Sequence, residues 1–177
     1  MGKEIERKFL VKNKEFKKLA EGVMYRQGYL NSAKERTVRI RIAGGKAFLT
    51  IKGIAIGVTR AEYEYEIPVD DCNDILDNLA EKPLIDKKRY KIPQGELTWQ
   101  IDEFFGENTG LIVAEIELEN EDQRFDKPAW VGEEVTGDQR YFNSNLIKTP
   151  FTRWLGVGLC MSWAVILTNR GLSWRRM

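Results

Sequence analysis

Apolar and polar side chains alternate with a period of two residues through most of the first 120 positions. Successive side chains of a β-strand point to opposite faces, so this alternation predicts strands with one apolar and one polar face. Gly44-Gly45 and Pro93-Gln94-Gly95 mark tight turns between neighbouring strands. The pattern predicts an α+β protein, mainly β, whose eight antiparallel strands close into a barrel. The predicted strands are residues 3–10, 24–31, 36–42, 46–52, 60–67, 86–92, 97–104 and 111–119.

Helical spacing interrupts the strand pattern in three places. It predicts helices over residues 13–21, from Asp70 or Asp71 as the cap to Ala80, and over residues 137–147. Each helix has an apolar stripe that must cover another surface, and the apolar face of the sheet can supply that surface. The stripes consist of Phe16, Leu19 and Ala20, then Cys72, Ile75, Leu76 and Leu79, and finally Tyr141, Phe142 and Leu146.

The length of 177 residues suits one domain, which we expect to span residues 1–154. Residues 155–177 form a tail to which the sequence assigns no role. The stretch from Trp154 to Asn169 carries no charge, yet its 16 residues are fewer than a membrane-spanning helix needs. Either an interfacial anchor or a segment packed on the domain would fit this composition.

The charge balance and the absence of histidine limit the partners and the kinds of metal site that this chain can have. The chain has 28 basic and 27 acidic residues, which gives no general attraction to nucleic acid or to an anionic membrane. With no histidine and only two distant cysteines, Cys72 and Cys160, a metal would have to be held by oxygen atoms. No signal peptide opens the sequence, so the cytoplasm is the expected compartment.

Charged side chains are sorted by sign along the polar strand faces. Glu4, Glu6 and Lys8 share one face of the first predicted strand, about 6.7 Å apart. Whole later strands carry a single sign, whereas a solvated face usually mixes both signs. The recurring positions are Arg39 and Arg41, Lys52, Glu62, Glu64 and Glu66, Lys87 and Arg89, Asp102, and Glu115, Glu117 and Glu119.

Two interpretations of these faces stay open at this level. An antiparallel sheet can expose a charged face to water and bury the other. If the helices cover the apolar face, however, the charged faces must point into the barrel. An enclosed set of like charges is tolerable only around a ligand of complementary charge. Arginine and lysine would bind phosphate groups, and the glutamates would hold Mg²⁺ or Mn²⁺.

These residues, in this order, resemble the CYTH superfamily, also called triphosphate tunnel metalloenzymes. The ExExK strand of that family is matched by Glu4-Ile5-Glu6-Arg7-Lys8, and the likeness runs from residue 2 to about residue 154. The layout is most similar to the small bacterial inorganic triphosphatases. The resemblance implies a tunnel that binds a linear triphosphate with two Mg²⁺ or Mn²⁺ ions and hydrolyses one phosphoanhydride bond.

The resemblance also implies roles for individual residues. Tyr29 and Lys52 would assist the chemistry as a pair. The substrate would be bound by Lys8, Arg39, Arg41, Lys52, Lys87 and Arg89. The metal ions would be held by Glu4, Glu6, Glu115 and Glu117, with Glu62 and Glu64 in support of a second ion. The charge pattern adds Asp102 as a further candidate metal ligand.

Three functions are compatible with the sequence. The first is a triphosphatase acting on inorganic tripolyphosphate, or on nucleoside or thiamine triphosphate. The second is a class IV-type adenylate cyclase, which would use the same tunnel to make cyclic AMP from ATP. The third is a non-catalytic module that binds polyphosphate. By resemblance we also expect a homodimer, and we expect neither nucleic acid nor a membrane as a partner.

Overall fold

The computed structural model describes residues 2–33, 35–54, 56 and 59–156. Within these ranges, the side chains of residues 2–4, 59, 155 and 156 are not described. The predicted tail therefore lies outside the described residues, apart from the backbone of its first two positions. No helix in the described ranges is long and apolar enough to span a membrane.

Antiparallel strands make up most of the molecule, as the alternating pattern predicts. Eight strands coincide with the predicted ones to within two residues at either end. A ninth strand, β9, was not predicted from the sequence. The strands are β1 (Gly2–Val11), β2 (Gly22–Asn31), β3 (Arg36–Ala43), β4 (Lys46–Gly53), β5 (Thr59–Ile67), β6 (Ile85–Gln94), β7 (Leu97–Phe104), β8 (Ile112–Glu117) and β9 (Val131–Glu134).

The first eight strands form a continuous ring. Their order is β5-β4-β3-β2-β6-β7-β8-β1, and β1 also pairs with β5, which joins the two ends of this order. The first half of β1 makes this junction, with Gly2 opposite Glu62 and Ile5 opposite Thr59. The second half pairs with β8 and with β9. The predicted eight-stranded antiparallel barrel is confirmed.

Helix α1 (Val69–Asn78) covers the outer face of β3 and β4. Its buried side chains Cys72 and Leu76 pack against Ile40 and Ala47 of those strands. Gly28 on β2 permits this close approach, since a Cβ at that position would lie 2.7 Å from the Cβ of Ala80. The apolar faces of these strands therefore point outward, and their charged faces point into the barrel.

A second apolar cluster covers the outer face of β1, β6, β7 and β8. Phe16, in a 3₁₀ turn at Glu15–Lys18, packs edge-on against Tyr90 and Trp130. Trp99 meets both Phe9 and Trp130 in the same way. Aromatic pairs of this geometry add about 1 kcal/mol each beyond their burial. This cluster fixes the remaining strands with their charged faces inward.

The inside of the barrel is apolar at one end. Helix α2 (Asn143–Leu146) brings Leu146 and the following Ile147 against the inward-facing Ile85, Phe104 and Val113. Apolar side chains thus fill the space that the charged residues leave. The charged part of the interior is confined to the other portion of the barrel.

Three predicted helices differ from the observed ones. The segment 13–21 forms only the 3₁₀ turn at Glu15–Lys18, and Leu19 is 59% exposed. Helix α1 begins at Val69 after Pro68, so Asp70 and Asp71 lie in its first turn rather than at its cap. They can still interact favourably with the partial positive charge of that helix end. Leu79, predicted in the apolar stripe, is 69% exposed.

The predicted helix over residues 137–147 is broken into two pieces. A 3₁₀ turn at Gln139–Tyr141 and helix α2 are separated by Phe142, whose backbone is extended at φ −76° and ψ 131°. Extended geometry turns Phe142 toward the barrel interior, where its ring lies 5.9 Å from Lys8 Nζ. Helical periodicity alone cannot indicate this break.

Candidate active site

The charged part of the barrel interior encloses a cavity of about 500 Å³. Each of the strands β1 to β8 contributes to its wall. The strands contribute Glu6, Lys8, Tyr25, Tyr29, Thr37, Arg39, Arg41, Lys52, Arg60, Glu62, Glu64, Arg89, Lys91, Gln100, Glu115 and Glu117, and the loop before and within α2 adds Thr136, Gly137, Phe142, Asn143 and Ser144.

Most of the predicted site residues meet in this cavity. The structure brings together Lys8, Arg39, Arg41, Lys52 and Arg89 with Glu6, Glu62, Glu64, Glu115, Glu117 and Tyr29. Two others, Lys87 and Asp102, lie buried on the inward strand faces beneath the cavity. Glu4 is placed by its backbone opposite Arg60 in the β1–β5 pairing, and its side chain lies outside the described residues.

Lys8 is the centre of one group of ion pairs. Its Nζ lies 2.5 Å from Glu115 Oε1 and 2.9 Å from Glu6 Oε1. Burial alone would lower the pKa of Lys8, but Glu115 and then Glu6 outweigh it, so the pKa of Lys8 is raised. Burial would likewise raise the pKa of Glu115, yet Lys8 and then Arg89 hold that pKa well below its usual value. Both groups are therefore charged in the folded protein.

Asp102 holds Arg89 in place from beneath the cavity. Its Oδ1 accepts a hydrogen bond from Arg89 Nε at 2.6 Å, and its Oδ2 accepts one from Arg89 Nη2 at 2.5 Å. Oδ2 also accepts from Lys87 Nζ at 2.7 Å. Since Asp102 is 0% exposed and both oxygens are engaged, the structure gives it contacts with cations rather than with the cavity. A planar guanidinium held by two bonds is fixed in orientation.

Lys87 shares this buried position. Its Nζ lies 5.6 Å from the centre of the Phe104 ring and is screened from the cavity. Burial lowers the pKa of Lys87 to about 8, against the opposing effect of Asp102. In this structure Lys87 forms an ion pair with Asp102, and its contact with the substrate stays a prediction.

A second group of charges lies on β3, β4 and β5. Glu64 accepts a hydrogen bond from Thr50 Oγ1 at 2.8 Å and from Arg41 Nη2 at 2.9 Å. Burial would raise the pKa of Glu64, but the bond from Thr50 and the charge of Arg41 outweigh it and lower that pKa. Alongside, Lys52 Nζ lies 2.9 Å from Glu62 Oε2.

Three arginine side chains keep a donor with no acceptor in the described part of the chain. The buried Nε atoms of Arg39, Arg41 and Arg60 have no hydrogen-bond partner there. A buried donor without a partner costs roughly 1–3 kcal/mol. All three side chains line the cavity, where their guanidinium groups can donate hydrogen bonds to an anionic ligand.

Tyr29 and Lys52, the predicted catalytic pair, line the same cavity. The hydroxyl of Tyr29 accepts a hydrogen bond from Gln27 Nε2 at 3.4 Å. Burial raises the pKa of Tyr29 to about 12, although Arg39, Arg60 and Lys8 act in the opposite direction. Tyr29 is therefore a protonated hydroxyl that can donate a hydrogen bond near neutral pH.

Sequence reasoning missed several wall residues. Arg60 shares the face of Glu62 and Glu64 on β5, and Tyr25 shares that of Tyr29 on β2, so strand parity alone could have found both. The residues from Thr136 to Ser144 follow no strand pattern and enter the wall through the fold of the chain. No local signal in the sequence identifies them.

The carboxylates suit a hard divalent cation in chemistry, since the chain has no histidine and its acidic side chains offer only oxygen donors. Within the residues whose side chains are described, no three acidic groups converge on one point. Glu6 and Glu115 are instead paired with Lys8. A metal ion held here would exchange these cation contacts for its own.

The fold and the cavity define a closed β-barrel whose interior carries both cations and carboxylates, which suits a polyanionic ligand. The family model of the CYTH domain matches residues 2–148. The chain therefore belongs to the CYTH domain family, as the sequence resemblance predicts. Triphosphatases of this family are metalloenzymes.

Two curated relatives carry the name inorganic triphosphatase. The one from Acetivibrio thermocellus is 56% identical over 151 residues, which covers 85% of this chain and 97% of the relative. The one from Nitrosomonas europaea is 40% identical over 148 residues, which covers 81% and 95%. The predicted similarity to small bacterial triphosphatases is confirmed.

Solved structures show the same fold. The crystal structure of an inorganic triphosphatase superimposes with a TM-score of 0.58 at 35% identity, covering 81% of this chain and 96% of that one. A conserved hypothetical protein from Pyrococcus furiosus gives a TM-score of 0.53 at 22% identity, covering 67% and 80%. The second comparison concerns the fold alone.

Proposed function

We propose that the protein hydrolyses one phosphoanhydride bond of inorganic tripolyphosphate in a metal-dependent reaction. The observation that carries this proposal is the cavity in which Arg39, Arg41 and Arg60 keep buried N–H groups without acceptors, beside a row of carboxylates. A linear triphosphate is rich in acceptor oxygens and binds divalent cations. The two curated relatives named inorganic triphosphatase support the same substrate.

The cations of the cavity would bind and extend the triphosphate. Guanidinium groups offer paired N–H donors to phosphate oxygens, and an ammonium group acts as a point charge. The charges around the substrate would also stabilise the negative charge that develops during phosphoryl transfer. We assign this role to Lys8, Arg39, Arg41, Lys52, Arg60 and Arg89, all of which line the cavity.

The carboxylates nearest Lys8 would hold Mg²⁺ or Mn²⁺. We assign this role to Glu4, Glu6, Glu115 and Glu117, with Glu62 and Glu64 in support of a second ion. A divalent ion in such a site neutralises phosphate charge and makes bound water more acidic. The ion pairs of Glu6 and Glu115 with Lys8 would open when ligand binds, which frees Lys8 for a phosphate oxygen and the glutamates for the metal.

We assign Tyr29 and Lys52 to the positioning of the attacking water. A buried hydroxyl with a pKa of about 12 keeps its proton, so Tyr29 would orient its neighbour by donating a hydrogen bond. Lys52, at the cavity wall and beside Glu62, would orient the attacking water by donating a hydrogen bond to it, because an ammonium group paired with a carboxylate can donate a proton but not accept one. The pair thus acts on the nucleophile, and the arginines act on the phosphates.

Product analysis tests the proposed function. Purified protein is incubated with tripolyphosphate or with ATP, in the presence of Mg²⁺ or Mn²⁺, and again with a chelator. We expect phosphate and pyrophosphate from tripolyphosphate, and no turnover with the chelator. Cyclic AMP from ATP would instead establish a cyclase, and tight tripolyphosphate binding without any turnover would establish a binding module.

We also propose that residues 1–154 form the catalytic domain, and that the protein works as a cytoplasmic homodimer. The ring of strands and the cavity lie within residues 2–144, which supports this domain boundary. A chain ending at Trp154 should keep full activity, and sedimentation of the whole chain should give twice its mass of 20.5 kDa. Loss of activity on truncation would assign a role to residues 155–177.

A further inference from the structure

Tyr25 lies between two of the cavity arginines. It is on β2, and its neighbours in the barrel are β3, which carries Arg41, and β6, which carries Arg89. The Cζ atoms of Arg41 and Arg89 lie 5.7 Å and 5.5 Å from the centre of the Tyr25 ring. Tyr25 is 8% exposed and contributes to the cavity wall. One buried ring therefore contacts two guanidinium groups.

The two arginines repel each other in this enclosed space. Burial, Arg39 and Arg89 all act to lower the pKa of Arg41, and Glu64 opposes them. Each guanidinium has its own carboxylate partners, Glu64 for Arg41 and both Asp102 and Glu115 for Arg89. None of these carboxylates forms a hydrogen bond with both arginines, whereas the electron-rich ring of Tyr25 contacts both.

The ring, rather than the hydroxyl, makes these contacts. Within the described part of the chain, the Tyr25 hydroxyl forms no hydrogen bond. The face of an aromatic ring attracts a cation, and this attraction is larger where water is excluded. The ring can therefore hold both guanidinium groups at a fixed separation and offset part of their repulsion.

We propose that Tyr25 is a positioning residue that spaces Arg41 and Arg89 so that they bind different phosphate groups of one triphosphate. This inference rests on the proposed function, since it concerns the binding of the same substrate. Without the ring, the two cations would lose their common contact, and the triphosphate would meet arginines whose spacing no longer matches it.

Three variants test this role. Tyr25→Phe keeps the ring and should bind tripolyphosphate within about twofold of the wild type. Tyr25→Leu keeps an apolar side chain but removes the ring, and the KM for tripolyphosphate should rise about tenfold with a much smaller change in kcat. Tyr65→Leu is the matched control, because Tyr65 lies on the outward face of β5 and is 56% exposed. Its KM should stay that of the wild type.

If Tyr25→Leu does not fold, a series of fluorinated phenylalanines at position 25 tests the role of the ring instead. Fluorine weakens the electrostatic attraction of the ring face while the ring keeps nearly the same shape. The dissociation constant for tripolyphosphate should rise step by step with fluorination. A dissociation constant that does not change along the series, or an unchanged KM in folded Tyr25→Leu, would overturn the inference. A wild-type protein that neither binds nor hydrolyses tripolyphosphate would instead overturn the proposed function.

Discussion

Lys8 and Glu115 lie directly opposite each other in the β1–β8 pairing, and Lys8 Nζ is 2.5 Å from Glu115 Oε1. Both side chains are buried. The pair therefore joins a cation that we assign to the phosphates with a carboxylate that we assign to the metal. In the absence of ligand each group neutralises the other, which explains how the barrel can enclose so many charges.

The stability of the folded protein should depend on the charge of Glu115. Its pKa in the folded protein lies below the usual value of 4.5. Glu115 therefore adds its full stabilisation above about pH 4.5 and loses it as the pH falls through its native pKa. At about pH 7, Glu115→Gln should lower the free energy of unfolding by about 3 kcal/mol, because Lys8 and Arg89 lose a buried partner. Urea unfolding measures this difference.

The pH dependence separates this effect from a general loss of packing. The difference between the wild type and Glu115→Gln should shrink as the pH falls from about 4.5 toward the lowered native pKa of Glu115, because over this range the unfolded wild-type chain takes up a proton that the folded protein resists. Glu119→Gln, at an exposed position beyond the end of β8, is the control and should change stability little at any pH. A difference that is the same at low and neutral pH would contradict the role of the ion pair.

Packing of α1 should affect stability without affecting catalysis. Leu76 is fully buried between α1 and the outer face of the barrel. Leu76→Ala should lower the free energy of unfolding by about 3 kcal/mol, since it leaves a cavity. Leu79→Ala, on the same segment but 69% exposed, should change it by about 0.5 kcal/mol or less.

Specific activity is the second readout for this helix. The folded fraction of Leu76→Ala should hydrolyse tripolyphosphate at the wild-type rate, because α1 lies outside the barrel. Equal destabilisation by both alanine variants would contradict the packing that we describe for α1.

Glu117 should govern the metal requirement. Its side chain lines the cavity and accepts a hydrogen bond from Gln100 Nε2 at 2.9 Å. Glu117→Gln keeps the shape but removes the charge that a hard cation requires. We expect the metal concentration for half-maximal activity to rise by at least about tenfold. Titration with Mn²⁺ followed by magnetic resonance measures the affinity of the protein for the metal without turnover.

Glu119→Gln again serves as the control for Glu117→Gln. It removes the same charge two residues further along the chain, outside the cavity wall, and should leave metal affinity unchanged. If both variants bind Mn²⁺ as the wild type does, Glu117 is not a metal ligand.

The alternation of residue types predicted which strand faces are charged, and the apolar stripes of the predicted helices favoured the interpretation that these faces point inward. Along β3, Arg39 and Arg41 alternate with apolar residues such as Ile40, which packs under α1. Parity along a strand and the need to cover the helices depend on local sequence, so both could be predicted. The fold was predictable for the same reason.

The position of a charged side chain along the barrel axis could not be predicted from the alternation. Lys87 and Arg89 share a strand face, yet only Arg89 reaches the cavity, while Lys87 lies beneath it beside Phe104. Asp102 stands opposite Arg89 in the β6–β7 register and binds it, which no pattern within β7 reveals. Contacts of this kind depend on strand register and on the apolar residues that fill one end of the barrel.

Two segments show no sequence pattern from which their structure could be predicted. Strand β9 has four residues, too few for a clear alternation, and it is defined by its pairing with β1. The loop from Thr136 to Ser144 enters the cavity wall only because the chain returns to the barrel after β9. Both features result from long-range contacts.

The account depends most on the claim that the inward cations bind the triphosphate. Arg39 lies in the cavity with an unsatisfied Nε, whereas Arg26 lies on the outer side of β2 and pairs with Asp77 at 2.7 Å. Both are arginines on neighbouring strands of one barrel, so their alanine variants remove the same charge from opposite faces.

The KM for tripolyphosphate, measured with saturating metal for Arg39→Ala and Arg26→Ala, tests this claim most directly. We predict a rise of at least about tenfold for Arg39→Ala, because charge-assisted hydrogen bonds are lost, with the wild-type value for Arg26→Ala. An Arg39→Ala protein that folds and keeps the wild-type KM would contradict the account.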